Sequence, residues 1–397
     1  MDKKILFASF VLFYTLFFKF SLLNQTFAGW LNNGLILMFL IVNINMFKRM
    51  FDREYRILNI LLLLWAILVV YSGFVNQNMS FDVEDYGGGI VKTLYSTRAD
   101  HSLYYAVKIL AFSLYFQTIA RQNKSQIFIR YFYKFMLVYV LVSNFNVLTY
   151  YSPDGMGFWA GNKFYVSYLN LFVATLYPLV YPCGIRKHST RVKFLLFMSF
   201  LIAFKTECST AVIGSLVMAF LLLSKSQMLR NKLFNWRFFM LGLLVLDVLF
   251  FFFTMAFIEN PIMQYIIVDL LGEDMTLTGR VEIYARVAEI LSEIPLWGYG
   301  IGNYHLFAIM SGIGANAQNG LFNLMLEIGI IGVLLYFLIV CLLLSVGNKS
   351  QNSYPIVCLI YVMLLLSSIE ITFTATFFIM SLMLLLYDRR YQKVSNY

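Results

Sequence analysis

Between Asn319 and Val346 the chain reads "NGLFNLMLEIGIIGVLLYFLIVCLLLSV", a long apolar run whose one charged side chain is Glu327. At about 1.5 Å per residue this run is long enough to cross a hydrocarbon core of about 30 Å. Lipid offers the backbone no hydrogen-bond partner, so the run must be helical. Comparable runs recur at 5–23, 28–47, 56–75, 103–120, 130–150, 165–182, 192–204, 209–224, 238–258, 355–369 and 372–387. Hydrophobic residues make up 60% of the 397 and charged residues 13%, far from the balance of a soluble domain. The expected class is all-α: a polytopic integral membrane protein of about twelve transmembrane helices, with residues 1–397 as a single transmembrane domain. Alternating short segments of the kind that build a membrane barrel are absent.

The N-terminal "MDKKILFASFVLFYTLFFKF" is too long for the apolar centre of a signal peptide and reads as a retained first helix. Cys183, Cys208, Cys341 and Cys358 show neither disulfide-framework nor zinc spacing. The pairs 192–204/209–224 and 355–369/372–387 are short for full crossings and also read as thin spans or re-entrant hairpins.

A net charge of +10 raises the question of nucleic acid, but the placement of the charge answers against it. The segments on one side of the expected topology hold 22 of the 30 Lys and Arg residues. These fall at Lys3–Lys4, Lys48–Arg56, Arg121–Lys134, Arg186–Lys193, Lys225–Arg237, Lys349 and Arg389–Lys393. Positive charge accumulates on the cytoplasmic side, so both termini are expected there and no nucleic acid is expected as partner. The non-membrane mass then lies outside, in a loop over 259–318 between the ninth and tenth spans.

That loop leaves the apolar register and carries "TLTGRVEIYARVAEILSEIPLWGYGIGN", Thr276–Asn303. Pro261 opens and Gly272 closes a short apolar helix suited to the membrane surface. A second, amphipathic helix follows, capped by Thr278 and stopped by Pro295. Arg286 lies between Glu282 and Glu289 at helical spacing, so an ion-pair reading stands level with ligand binding. Arg280 sits at the helix start, where its charge opposes the dipole, and a bound anion would explain it. Gly279, Gly300 and Gly302 free the backbone to approach such an anion. His305 follows closely, though a lone histidine is more often structural.

Lys163 and Asn162, in "FWAGNKFY", lie at the mouth of a span, where a lysine commonly snorkels. Lys205 has the same bland reading. Asp247 lies mid-span and must be neutral, paired or facing water. Glu327 and Glu370 sit near the outer ends of their spans. The acidic "FDVEDYGGG" (Asp82, Glu84, Asp85) matches no recognised metal loop and reads as a solvated segment; no metal is expected.

Three features keep a fixed order: "GNK" at 161–163, "TECST" at 206–210 and "TGR" at 278–280. "IPLWGYGIGN" and "ANAQNGLFNLMLEIGIIG" follow, the latter including Gln318 and Asn319. This order resembles the O-antigen polymerase and O-antigen ligase superfamily of membrane glycosyltransferases, over about residues 155–345. The resemblance implies a polysaccharide polymerase of the bacterial cytoplasmic membrane, acting at its outer face. It would move a growing glycan from undecaprenyl pyrophosphate to the non-reducing end of a lipid-linked repeat unit. No cofactor is implied. The implied partners are the undecaprenyl-pyrophosphate-linked oligosaccharide and the lipid bilayer, with a chain-length regulator and a flippase beside them.

Arg280 matches the "TGR" arginine, and Glu327 with Gly329 the "E-x-G". Arg280, helped by Arg286, Lys163 and Asn162, would hold the pyrophosphate, and Glu327 or His305 would serve as base. Gln318 stands where ligases typically carry histidine, and Thr210 where an arginine often follows the serine. Both departures favour a polymerase over a ligase. The alternatives are a ligase acting on lipid A-core, a lipid-linked oligosaccharide flippase and a non-catalytic scaffold.

Overall fold

The computed structural model of the chain describes residues 2–19, 25–84, 90–95, 99–150, 157–181, 189–249, 290–303, 317–347, 351–388 and 390. Helices stand where the apolar runs stand. They are α1 (Lys3–Phe17), α2 (Gln25–Val42), α3 (Arg56–Val75), α4 (Ala99–Arg121), α5 (Ser125–Thr149) and α6 (Lys163–Val180). After them come α7 (Ser189–Lys205), α8 (Ser209–Leu223), α9 (Gln227–Leu233) and α10 (Trp236–Leu243), then α11 (Gly320–Gly347), α12 (Tyr354–Ser367) and α13 (Ala375–Leu382).

Among the described residues, four helices are long and apolar enough to cross a membrane: Arg53–Val75, Ala99–Arg121, Ser125–Thr149 and Gly320–Gly347. The number rises to six if two bent pairs each count as one span. Twelve crossings therefore remain an expectation from the sequence. One bent pair corrects the run expected over 28–47. The helix turns by 70° after Val42 into a 3-10 segment, Ile44–Phe51, whose Lys48 and Arg49 suit an interface rather than hydrocarbon. The short helices α12 and α13 are almost wholly buried by neighbouring protein, which tolerates helix ends that lipid would penalise.

The described chain is helical as expected, with one short strand pair beside the helices. Within the segment 76–102, β1 (Ser80–Glu84) pairs antiparallel with β2 (Ile90–Tyr95), with a register shift at Val83/Glu84. Val, Ile and Thr, which recur in these two segments of the sequence, are residue types that favour strands. Asp82 and Glu84, expected on a solvated loop, lie on β1.

The faces of α3 show what surrounds the bundle. Ile57, Ile60, Leu64, Ile67 and Phe74 are exposed, while Leu58, Leu62, Trp65 and Val69 are buried. Trp65 packs at 4.9 Å from Phe378 between ring centroids. An exposed apolar stripe of this length is what lipid solvates and water does not. Interhelical amides join the bundle: Asn144 on α5 and Asn170 on α6 exchange hydrogen bonds of 2.9 Å, and Gln117 on α4 donates to Asn59 on α3 at 2.7 Å.

The bundle has two chemically distinct ends. At one, Lys124 pairs with Asp2 at 2.7 Å, Arg121 with Glu54 at 3.1 Å, and Tyr55 donates to Asp388 at 2.8 Å. These contacts join segments that the charge count places on one side. At the other end meet the start of α4, the start of α6, the α7–α8 turn, the start of α11 and the turn after α12.

Candidate functional site

The centre of this second end is a break in α11. Gly329 takes φ 64° and ψ 178°, so the helix is interrupted inside the apolar run. An interruption leaves carbonyl and amide groups that must find partners elsewhere. The segment 296–302 supplies them. The Tyr299 and Gly300 amides donate to the Leu326 and Glu327 carbonyls at 2.7 and 2.9 Å, and the Ile331 amide donates to Leu296 at 3.3 Å. Gly298 also has positive φ, and a Cβ there would strike the Gly329 and Ile328 amide nitrogens. Only glycine at both positions permits this backbone-to-backbone approach.

The loop is fixed from its other side by α3. The Gly298 carbonyl accepts from Ser72 Oγ at 3.1 Å and from Asn76 Nδ2 at 3.0 Å, and Gly300 abuts Gly73. Trp297 meets Tyr71 edge-on, with centroids 5.7 Å apart. Asn303 Nδ2 closes the turn on the Tyr299 carbonyl at 2.7 Å. Ile290–Glu293 end as a helix before Pro295, the stop expected from the sequence.

Glu327 faces the loop. One carboxylate oxygen accepts the Gly302 amide at 3.1 Å, and the Asn323 side chain lies within its electrostatic reach. Tyr105 on α4 and Tyr336 on α11 lie within its electrostatic reach. The carboxylate is thus held by a neutral donor beside aromatic side chains.

A second group of motifs meets at the mouth of α6. Asn162 Oδ1 accepts the Tyr165 amide at 3.0 Å and caps the helix. Lys163 Nζ donates to the Glu207 carbonyl at 3.2 Å, joining "GNK" to "TECST". Thr206 and Thr210 hydrogen-bond to Ser167 and Tyr168 of α6 at 2.8 and 3.1 Å. Glu370 and Lys163 both reach Cys208 electrostatically. Burial pushes the Cys208 thiol up, so it behaves as a packed side chain rather than a nucleophile.

The start of α11 lies against the turn after α12. Asn319 is fully buried; its Oδ1 accepts the Phe322 amide at 3.1 Å and its Nδ2 donates to Ser368 at 3.3 Å. Gln318, with φ 43°, precedes it in the left-handed region. Gly320 packs beside Ser367 and Glu370. Asp247, on a π-helical turn Leu244–Leu249 that continues α10, is bonded by Ser367 Oγ at 2.8 and 2.9 Å from its two oxygens.

The structure therefore joins Glu327 with Gly300 and Gly302, and joins Lys163 and Asn162 with the "TECST" turn. Asn319 and Glu327 share α11 but stand about 12 Å apart along its axis at 1.5 Å per residue. Gly279, Arg280, Arg286 and His305, like most of the loop 259–318, lie outside the described residues. Sequence reasoning missed Ser72, Gly73, Asn76 and Asn323. The available signal was the small and polar pattern Ser72–Gly73 with Asn76, closing an otherwise apolar span.

The model of the O-antigen ligase family matches residues 194–337. The matched stretch begins in α7 and ends in α11, so it takes in the "TECST" turn, the glycine loop and the broken helix. No curated protein and no solved structure matches the chain. Over residues 194–337 the chain is thus similar to the O-antigen ligase family, a likeness that supports an O-antigen polymerase or ligase-like superfamily.

Proposed function

We propose that the chain is a polysaccharide polymerase rather than a ligase, acting on glycans carried by undecaprenyl pyrophosphate. The observation that carries this reading is the glycine loop clamped between α3 and the break in α11. It anchors the chain immediately after the segment that bears Arg280 and Arg286, and delivers it at Asn303, two residues before His305. A clamped loop fixes its neighbours in place before substrate arrives, which is what charge stabilisation at a reacting centre requires.

In the proposed reaction, a hydroxyl at the non-reducing end of the acceptor repeat attacks the anomeric carbon of the donor glycan. The bond from that carbon to the pyrophosphate oxygen breaks with inversion, and undecaprenyl pyrophosphate leaves with the electron pair. Arg280 meets the growing negative charge bidentately, with Arg286 and Lys163 in support. His305 takes the hydroxyl proton. Glu327, already engaged by Gly302, acts as a positioning residue through the loop.

The positive-inside bias supports both termini in the cytoplasm and the end holding the glycine loop at the outer face of the bacterial cytoplasmic membrane. Gln318 and Thr210, where ligases carry histidine and often arginine, support polymerase over ligase. The deciding experiment is reconstitution with defined undecaprenyl-pyrophosphate-linked repeat units, with and without lipid A-core. A ladder of longer lipid-linked glycans supports the polymerase; transfer to lipid A-core alone makes the chain a ligase. Movement of lipid-linked units across the bilayer without elongation makes it a flippase.

A further inference from the structure

Lys108 has no place in the reaction just described. It lies nine residues into α4, inside a span that is apolar and mostly buried, and its own exposure is 7%. A charged side chain at such a position is costly and ordinarily marks a counter-ion or a ligand. Yet among the described residues its ammonium forms no hydrogen bond or ion pair; it lies over the rings of Tyr104 and Tyr105, at 5.2 and 6.0 Å from their centroids.

Tyr104, one turn before it, has a buried hydroxyl that is also without a partner. Residues four apart share a helix face, so α4 offers two unfulfilled donors side by side, one of them charged. Two such donors suit an anion with several acceptor oxygens; a cation would repel the ammonium and an apolar group would leave both unmet. Helical side chains lean toward the N-terminus, which lifts the ammonium toward the end of the bundle that holds the glycine loop. Tyr105, beside it on α4, lies within electrostatic reach of Glu327. The unpaired cation therefore adjoins the candidate site from inside the bundle.

We infer that Lys108 and the Tyr104 hydroxyl bind the phosphate headgroup of an amphiphile, namely the pyrophosphate of the carrier lipid, at a point below the mouth of the bundle. The identity of the amphiphile rests on the function proposed above; the unpaired donors do not. A lipid pyrophosphate suits the place because its headgroup is anionic while its chain remains in hydrocarbon. An anionic phospholipid shares that chemistry and is the competing source.

The test uses the full chain in nanodiscs of zwitterionic lipid, with farnesyl pyrophosphate as the probe. K108M should weaken its binding by at least about tenfold, and Y104F by about threefold, with K108R in between. Wild-type affinity in a folded K108M protein overturns the site. Should K108M not fold, Y104F decides, because it removes only an unpaired hydroxyl: unchanged affinity there overturns the site equally. Phosphatidylglycerol titrated into the discs separates the sources. Lys108-dependent binding of that lipid, with farnesyl pyrophosphate binding indifferent to K108M, overturns the carrier assignment. A protein that binds farnesyl pyrophosphate through Lys108 but elongates no glycan upholds the site and defeats the polymerase reading instead.

Discussion

The Gly302 amide donates to a carboxylate oxygen of Glu327 across 3.1 Å, and this bond ties one end of the glycine loop to the helix whose break the other end fills. A positioning role and a base role make opposite demands on Glu327. Glutamine keeps an acceptor for the amide but cannot take a proton. E327Q should therefore retain elongation within about threefold of wild type, while E327A, which leaves the Gly302 amide unmet, should lose about tenfold or more. If E327Q is as inactive as E327A while folding normally, Glu327 is the base and the positioning role is wrong.

The contact between Gly298 and Gly329 predicts a stability effect separable from chemistry. Both residues have positive φ, and a Cβ on either would strike the other's backbone. G298A or G329A should cost about 1–3 kcal/mol from strain alone, with the clash in addition. The expected readout is a lower Tm in detergent for both variants, together with protease sensitivity between Pro295 and Asn303. A G329A protein with wild-type Tm would mean that the loop does not pack on the break as described.

These two relationships show why the sequence revealed part of the molecule and concealed the rest. Most of the helices were legible because they are written as apolar runs, and the two ends because Lys and Arg collect on one of them. The break at Gly329 was not legible, since one glycine inside "LEIGIIG" resembles an ordinary packing glycine. Nor was its partner: Ser72 and Asn76 lie more than 200 residues from the Gly298 carbonyl they hold. The hairpin was hidden because two strands of five and six residues carry a weak period within a glycine-bearing segment. Asn162 and Asn319 were read as motif residues, and their visible work is capping; a cap and a ligand position share the same residue types.

At the opposite end, Asp388 makes stability depend on pH. Burial alone would push its carboxyl up, but hydrogen bonds from Arg390 and Tyr55 outweigh this and hold it below the ordinary range. A depressed folded-state value means that the contribution is fully present above the unfolded value of about 3.9. It is lost as pH falls through the lower folded value. D388N should thus lower Tm at pH 7, and its difference from wild type should shrink only as pH drops below about 4. A difference that closes already between pH 7 and 5 would assign the effect to another group.

Asp247 and Ser367 form a buried pair in which one hydroxyl lies 2.8 and 2.9 Å from the two carboxyl oxygens. Asparagine preserves an acceptor in the same place, whereas S367A leaves the carboxyl without that donor. D247N should therefore stay within about 1 kcal/mol of wild type and S367A should lose about 1–3 kcal/mol, read as Tm shifts. Because Ser367 also packs on Gly320, S367A should disturb the start of α11 and lower elongation in parallel. Activity lost in D247N at unchanged Tm would instead make the carboxyl part of the chemistry.

Arg280 and Arg286 separate the proposed pyrophosphate site from helix-surface pairing. Arg280 opposes the dipole at the start of its expected helix, so removing it would favour the helix while emptying the anion site. R280A should then keep or slightly raise stability while elongation falls by about 10²–10³-fold, the size typical of a lost oxyanion donor. R280K supplies charge without the bidentate fork and should fall between the two. Arg286, flanked by Glu282 and Glu289, carries the opposite expectation if it serves an ion pair: R286A should change elongation little and stability by less than about 1 kcal/mol. Lipid-linked chain length on gels and Tm in detergent read both quantities on the same preparations. Long polymer in both R280A and R280K would remove Arg280 from the pyrophosphate site, and a loss confined to R286A would move that site along the helix by about 1.7 turns.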